Sequence, residues 1–211
     1  MAGFEVTTEV IVALFMAGYY VWRADHVRLI PQLKIQEVKL LNTPVTRTLF
    51  IDGKFLGEEV LDHRTYIQLL PKCLTEAPVY ECKAYLKEVR RCSPTQTDWE
   101  DIDFRGLVLR WDNSEEEQIT QHPGVEKSIN VAYIQHSNRQ IVPSVFGDIP
   151  MHRIVDVFDR RDEEVEAYQF DVYVARSDRV RGENIKPAQV RLEVHLGNDP
   201  SSPSLELTPL N

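Results

Sequence analysis

Glycine is scarce in this 211-residue chain: nine residues, widely scattered, form none of the glycine-rich loops that cradle a phosphate. CxxC, HExxH and GxSxG are missing as well, so the usual sequence signs of zinc chemistry and serine hydrolysis are absent. Cysteine is limited to Cys73, Cys82 and Cys92. An odd count without a spacing framework speaks for free thiols and a reducing compartment. Positive charge is in deficit, with 24 Lys and Arg against 33 Asp and Glu and a formal charge of -9. With no basic stripe, nonspecific binding to nucleic acid is excluded, because it needs clustered cations that neutralise phosphates. Only one dense apolar block occurs, which excludes a polytopic membrane protein. At 43% hydrophobic and 27% charged residues, the composition is globular and not that of a disordered chain.

That block runs from Val10 to Trp22 as VIVALFMAGYYVW. It contains Val10, Ile11, Val12, Leu14, Phe15, Met16, Tyr19, Tyr20 and Trp22, and Thr7 or Thr8 can cap a helix at its start. Thirteen helical residues rise only about 20 Å against a hydrocarbon core of roughly 30 Å. A start at Phe4 lengthens the segment to a span. Tyr19, Tyr20 and Trp22 gather at one end, where amphipathic rings favour the headgroup layer, and Arg23 and Arg28 follow. Basic residues next to a span tend to stay on the cytoplasmic side. The expectation is a single-pass anchor in the lipid bilayer of the inner (cytoplasmic) membrane, with the C-terminal domain cytoplasmic. No small-residue cleavage site follows MAGFE, which argues against a removable signal. The alternative is a helix that docks on a partner protein or fills a core. Ala13 and Ala17 form a small-xxx-small pair through which two helices can approach, so a homo-oligomer is also open.

After Trp22 the pattern changes to alternation, the mark of half-buried strands. Tyr168, Phe170, Val172 and Val174 alternate with Gln169, Asp171 and Tyr173; Val190, Leu192, Val194 and Leu196 alternate with Arg191, Glu193 and His195. Both predict antiparallel strands with one wet face. Shorter runs begin at Leu33, at Thr65 (stopped by Pro71), at Tyr80, at Leu107 and at Ile129. A weaker run covers Met151 to Phe158, and Leu205 and Leu207 suggest a last edge strand. Seven or eight strands at this spacing predict a mainly β antiparallel sandwich over 31–211, preceded by an apolar helix and juxtamembrane segment over 1–30. Near 45–60, Leu49, Phe50 and Ile51 lead through Asp52-Gly53 to Lys54, Phe55 and Leu56. An Asp-Gly pair suits a two-residue turn with positive φ, so this reads as an inserted hairpin. Its apolar residues either cap an open end of the sandwich or form a patch that meets a partner.

The stretch EAYQFDVYV, with Tyr168 two places before Phe170, resembles the penultimate strand of an immunoglobulin-like sandwich with its tyrosine corner, and AQVRLEVHLG resembles the last strand. The Cys-Trp-Cys pattern of immunoglobulin domains proper is missing, with Phe170 standing where a cysteine would. With WRADHVRLIPQLKI and QHPGVEKSINVAYI, the chain is similar to uncharacterised bacterial proteins built from one anchor helix and one such sandwich. That resemblance implies an architecture and carries no activity.

Chemistry-bearing residues are few. Cys82 falls on an apolar strand face and reads as a small core residue, while Cys92 stands beside Arg90 and Arg91. The histidines His26, His63, His122, His136, His152 and His195 have no short metal spacing. Asp98, Asp101 and Asp103, and Asp112 with Glu115, Glu116 and Glu117, gather carboxylates that solvated loops explain better than calcium, since the Gly and closing Glu of an EF-hand are absent. The expectation is a non-enzyme without cofactor or metal: a membrane-anchored module that binds or scaffolds an unidentified protein partner. A structural subunit docked through its N-terminal helix is the alternative. An enzyme would need distant groups such as His63, His136 and Asp98 to converge.

Overall fold

The computed structural model describes residues 15–22, 32–51, 54–76, 78–93, 98–102, 105–112, 114–146, 166–176 and 187–210. The chain is mainly β, with two antiparallel sheets around one apolar core. The first sheet contains β1 (Leu33–Ile51), β2 (Lys54–Cys73), β8 (Ile129–Gln135) and β6 (Arg110–Trp111) in that order, with β9 (Gln140–Pro143) also on β8. The second runs β12 (Ser204–Pro209), β11 (Ala188–His195), β10 (Ala167–Arg176), β3 (Val79–Cys92) and β4 (Glu100–Ile102). The short β5 (Leu107–Val108) and β7 (Ile119–Gln121) pair with β3.

Alternation produces this arrangement, because every second side chain of a strand faces the same layer. Ile67, Leu69, Val131 and Ile134 from the first sheet meet Leu86, Val89, Phe170, Val172, Leu192 and Val194 from the second. The expected wet face of β10 is a point of difference. Gln169 and Asp171 are buried too, because β10 is paired on both sides, by β3 and β11. Arg191 lies across Asp171 in a two-pronged ion pair of 2.7 and 2.8 Å, and Gln169 donates to Glu193 at 2.6 Å. The polar face of this central strand is thus sealed by its own neighbours. Pro71 does not stop β2, which continues to Cys73. It lies past the last pairing with β8, Leu69↔Ile129, so on that side its missing N–H interrupts nothing.

The membrane expectation is corrected by the helix that the described residues contain. It covers 15–22 and rises about 12 Å, well short of the roughly 30 Å a hydrocarbon core requires. Among the described residues no helix is long and apolar enough to cross a membrane. The single-pass anchor, its inner-membrane location and the cytoplasmic side inferred from it are therefore withdrawn. Phe15, Met16, Tyr19, Tyr20 and Trp22 lie on this short helix and are exposed. Val10, Ile11, Val12 and Leu14, and Arg23 and Arg28, lie outside the described residues, as does the weak strand from Met151 to Phe158.

The stretch near 45–60 is the outer half of the β1–β2 hairpin, whose register runs unbroken in sense from Leu33↔Cys73 to Ile51↔Lys54. The third strand β8 leaves β2 at Arg64↔Gln135, and Arg64 faces Thr43 of β1. Beyond that level the eight residues Pro44–Ile51 extend roughly 27 Å as a two-stranded ribbon, at about 3.4 Å per residue.

The core and the ribbon should respond differently to truncation. Phe170→Ala removes a fully buried ring and is expected to cost about 3–5 kcal/mol, whereas Phe50→Ala on the ribbon should change stability by less than about 0.5 kcal/mol. Urea unfolding of the two variants beside the parent measures both.

Candidate functional site

Two regions outside the core gather side chains with something to do. The first is the ribbon's outer end. Phe50, Ile51 and Phe55 are each 62% exposed, and Leu56, Val60 and Leu61 are more than half exposed. Phe50 and Phe55 face each other across the hairpin at 6.1 Å in an edge-to-face contact. These side chains therefore do not cap an open end of the sandwich; they project with the ribbon. The two strands differ in regularity. The register slips at Val45/Thr46 and at Leu49/Phe50, each time leaving an extra residue in β2, namely Leu61 and Leu56. Gly57, with φ of 147°, sits at the second bulge, where a side chain would be strained.

The second region lies at the ribbon's base. Asp62 accepts hydrogen bonds from the His63 amide at 2.8 Å, the Ser137 amide at 3.1 Å and the Ser137 hydroxyl at 2.9 Å. The His63 and His136 rings are 5.9 Å apart. Buried Thr65 donates its one hydroxyl proton to Asn42 Oδ1 at 2.5 Å, so it accepts from His136, whose Nε2 lies 2.7 Å away and carries the hydrogen. These contacts tie β1, β2 and the β8–β9 turn together where the ribbon leaves the sheet. Desolvation pushes the Asp62 carboxyl up, and the donors from His63, Ser137 and Gln135 push it down by more, so it sits below the ordinary carboxylate range. Asp199 is lowered as well, by the hydroxyl and amide of Ser201.

His63 and His136 thus do converge, although Asp98 does not join them: it lies between β3 and β4, on the other sheet. The carboxylate beside them is Asp62. No local signal announces this, since the two histidines are far apart in sequence and only the β2–β8 register brings them together. Thr65 is fully buried, whereas the Ser137 hydroxyl on Asp62 is exposed; together these contacts clasp the base of the ribbon.

The remaining chemistry-bearing residues are occupied elsewhere. Cys73, Cys82 and Cys92 are not joined in disulfides; Cys82 is fully buried and directed at the Val79 carbonyl, 3.3 Å away. Burial pushes the Cys73 thiol above its ordinary value. Asp101 pairs with Arg90 at 2.9 Å, and Glu117 with Lys83 at 2.9 Å beside an open groove lined by Glu81, Glu116 and Thr120. Asp103 lies outside the described residues. Among the described residues no three His, Cys, Asp or Glu side chains are placed to hold a metal ion. Burial in the core pushes the Tyr168 hydroxyl up to about 12, against the opposing charge of Arg91.

No protein family, curated protein or solved structure matches this chain.

The Asp62 clasp has a pH signature. A carboxyl lowered in the folded chain stabilises it above the unfolded value of about 3.9, and that contribution disappears as pH falls through the folded value. Asp62→Asn should flatten the loss of stability below about pH 4. Urea midpoints measured from pH 2 to 7 for parent and variant check the sign; parallel curves would contradict it.

Proposed function

We propose that this protein is a non-catalytic binding or scaffolding module that docks through the outer end of its β1–β2 ribbon onto another protein surface. The observation that carries the reading is the ribbon's exposed apolar set, Phe50, Ile51, Phe55, Leu56, Val60 and Leu61. Exposed apolar side chains gathered on one element mark interaction sites, and here they lie on both faces of the ribbon's outer end. A free two-stranded hairpin is at best marginally stable in water. The base clasp holds the ribbon in register and leaves its tip open, which suits an element that gains its remaining contacts from a partner.

The immunoglobulin-like reading of the sandwich belongs to this proposal. Its support is the strand order β1-β2-β8-β6 in one sheet and β11-β10-β3 in the other, which parallels the A-B-E-D and G-F-C orders of immunoglobulin constant-type domains. Such sandwiches present edges and loops for recognition and require no catalytic group. A second reading, docking of the N-terminal helix into a protein assembly, is favoured by one specific observation. Six large side chains of 15–22 are exposed, with the Tyr19 ring edge-on to Tyr20 at 6.0 Å and tilted against Trp22 at 6.2 Å.

A photo-crosslinking residue at Phe55, compared with one at Glu206 on β12, tests the main reading in the native host. A discrete protein adduct from position 55, absent from position 206 and lost when Phe50→Ser and Leu56→Ser are added, is expected. Equal labelling at both positions, or none at 55 with adducts only from position 15, would overturn it, the last outcome in favour of the helix.

A further inference from the structure

The geometry points to a second copy of this chain as the partner: the β1 edges of two ribbons pair antiparallel over Val45–Ile51 about a two-fold axis at Thr48. This deepens the docking reading above and rests on it.

The argument starts from which edges are protected. A strand edge is a row of unpaired amides and carbonyls, and proteins blunt such rows with charges, prolines, bulges or shortness. Along the ribbon β2 has charges and bulges: Lys54, Glu58, Glu59 and Asp62 lie on it, and both ribbon bulges, with Gly57, are on its side. The inner part of β1 is protected too, by Lys34, Glu37 and Lys39 and by a bulge at Gln36. At the other sheet edges, β12 has Glu206 and Pro209 in six residues, β9 ends at Pro143, and β6 and β4 contain two and three residues. The outer part of β1 is different. From Val45 to Ile51 it reads VTRTLFI, with no bulge of its own. Its single charge, Arg47, is held at 3.3 Å by Glu59 of the same hairpin. Among the described strands it is the longest unguarded edge.

The sequence of that edge also selects the register. Pro44 bounds it on one side, since proline cannot donate to a ladder, and the end of β1 at Ile51 bounds it on the other. The antiparallel pairing that uses all seven residues has its axis at Thr48. It sets Val45 opposite Ile51 of the second copy, Thr46 opposite Phe50, and Arg47 opposite Leu49. The first two are β-branched and aromatic cross-strand pairs of the stabilising kind. Moving the axis one residue to Arg47 would oppose two like charges and bring Pro44 into the ladder. An isologous contact of this sort closes at two copies. It turns two marginal hairpins into a four-stranded sheet, beyond the three strands that a free-standing sheet needs.

The test uses the purified full chain. In the paired register the two Thr48 side chains stand within disulfide reach of each other. Thr48→Cys under mild oxidation should give a disulfide dimer at least about tenfold faster than the parent or Glu58→Cys, as cross-strand proximity requires. Thr48→Lys opposes two cations at the axis and should weaken dimerisation at least about tenfold by sedimentation equilibrium, with the thermal unfolding curve unchanged at dilutions where the parent is monomeric, because Thr48 is exposed in the single chain. Dimer formation by Thr48→Cys no faster than by Glu58→Cys, or association that survives Thr48→Lys, would overturn the pairing. A chain that is monomeric at all concentrations while Phe55 still crosslinks a different protein overturns self-pairing and leaves the docking reading standing. Absence of any protein adduct at Phe55 removes both.

Discussion

The structure depends on where the third strand stops. β8 supports β2 only as far as Arg64, and up to that level the hairpin is a normal part of a two-sheet core. Past it, among the described residues, the same two strands have no further neighbour in their sheet, and most of their side chains are exposed. Backbone pairing between β1 and β2 continues regardless, so the register is preserved while burial disappears. Side chains that would be core residues in a three-stranded setting, such as Phe50, Phe55 and Leu61, are left in contact with water. Each of the two halves obeys ordinary strand chemistry; only their surroundings differ.

The clasp at the junction follows from this change of surroundings. Where a sheet ends, its last backbone and side-chain polar groups are neither paired in a ladder nor fully hydrated, and they need local partners. Asp62 takes two amides and a hydroxyl, and Thr65 relays between Asn42 and His136. The Thr65 hydroxyl is buried and its bonding capacity is used, and the same contacts hold the base of the ribbon.

Much of the fold was legible because alternation is local. Tyr168 to Val174 and Val190 to Leu196 announce their strands within eight residues, and the apolar runs on either side of Asp52-Gly53 pair as β1 and β2. What was not legible depends on pairing between distant segments. The burial of Gln169 and Asp171 follows from β10 having neighbours on both sides, which no property of its own sequence expresses. The meeting of His63 with His136 follows from the β2–β8 register. Whether Phe50 and Phe55 cap the sandwich or project from it depends on how far β8 extends, and Ile129–Gln135 gives no sign of that length in isolation. The N-terminal block misled because hydropathy was read over the whole apolar stretch, while the described helix occupies only its last eight residues.

The central claim is that the outer edge of β1 is open in the single chain and closed by a partner strand. Residue-resolved amide hydrogen exchange over 45–51, followed as a function of protein concentration, addresses it most directly. In an antiparallel ribbon alternate amides point away from the hairpin partner, so those of β1 should exchange fast in dilute solution and slow as concentration rises, while the outward amides of Phe55–Leu61 stay fast throughout. Equal exchange of the β1 edge amides at every concentration, whether fast or slow, would contradict it.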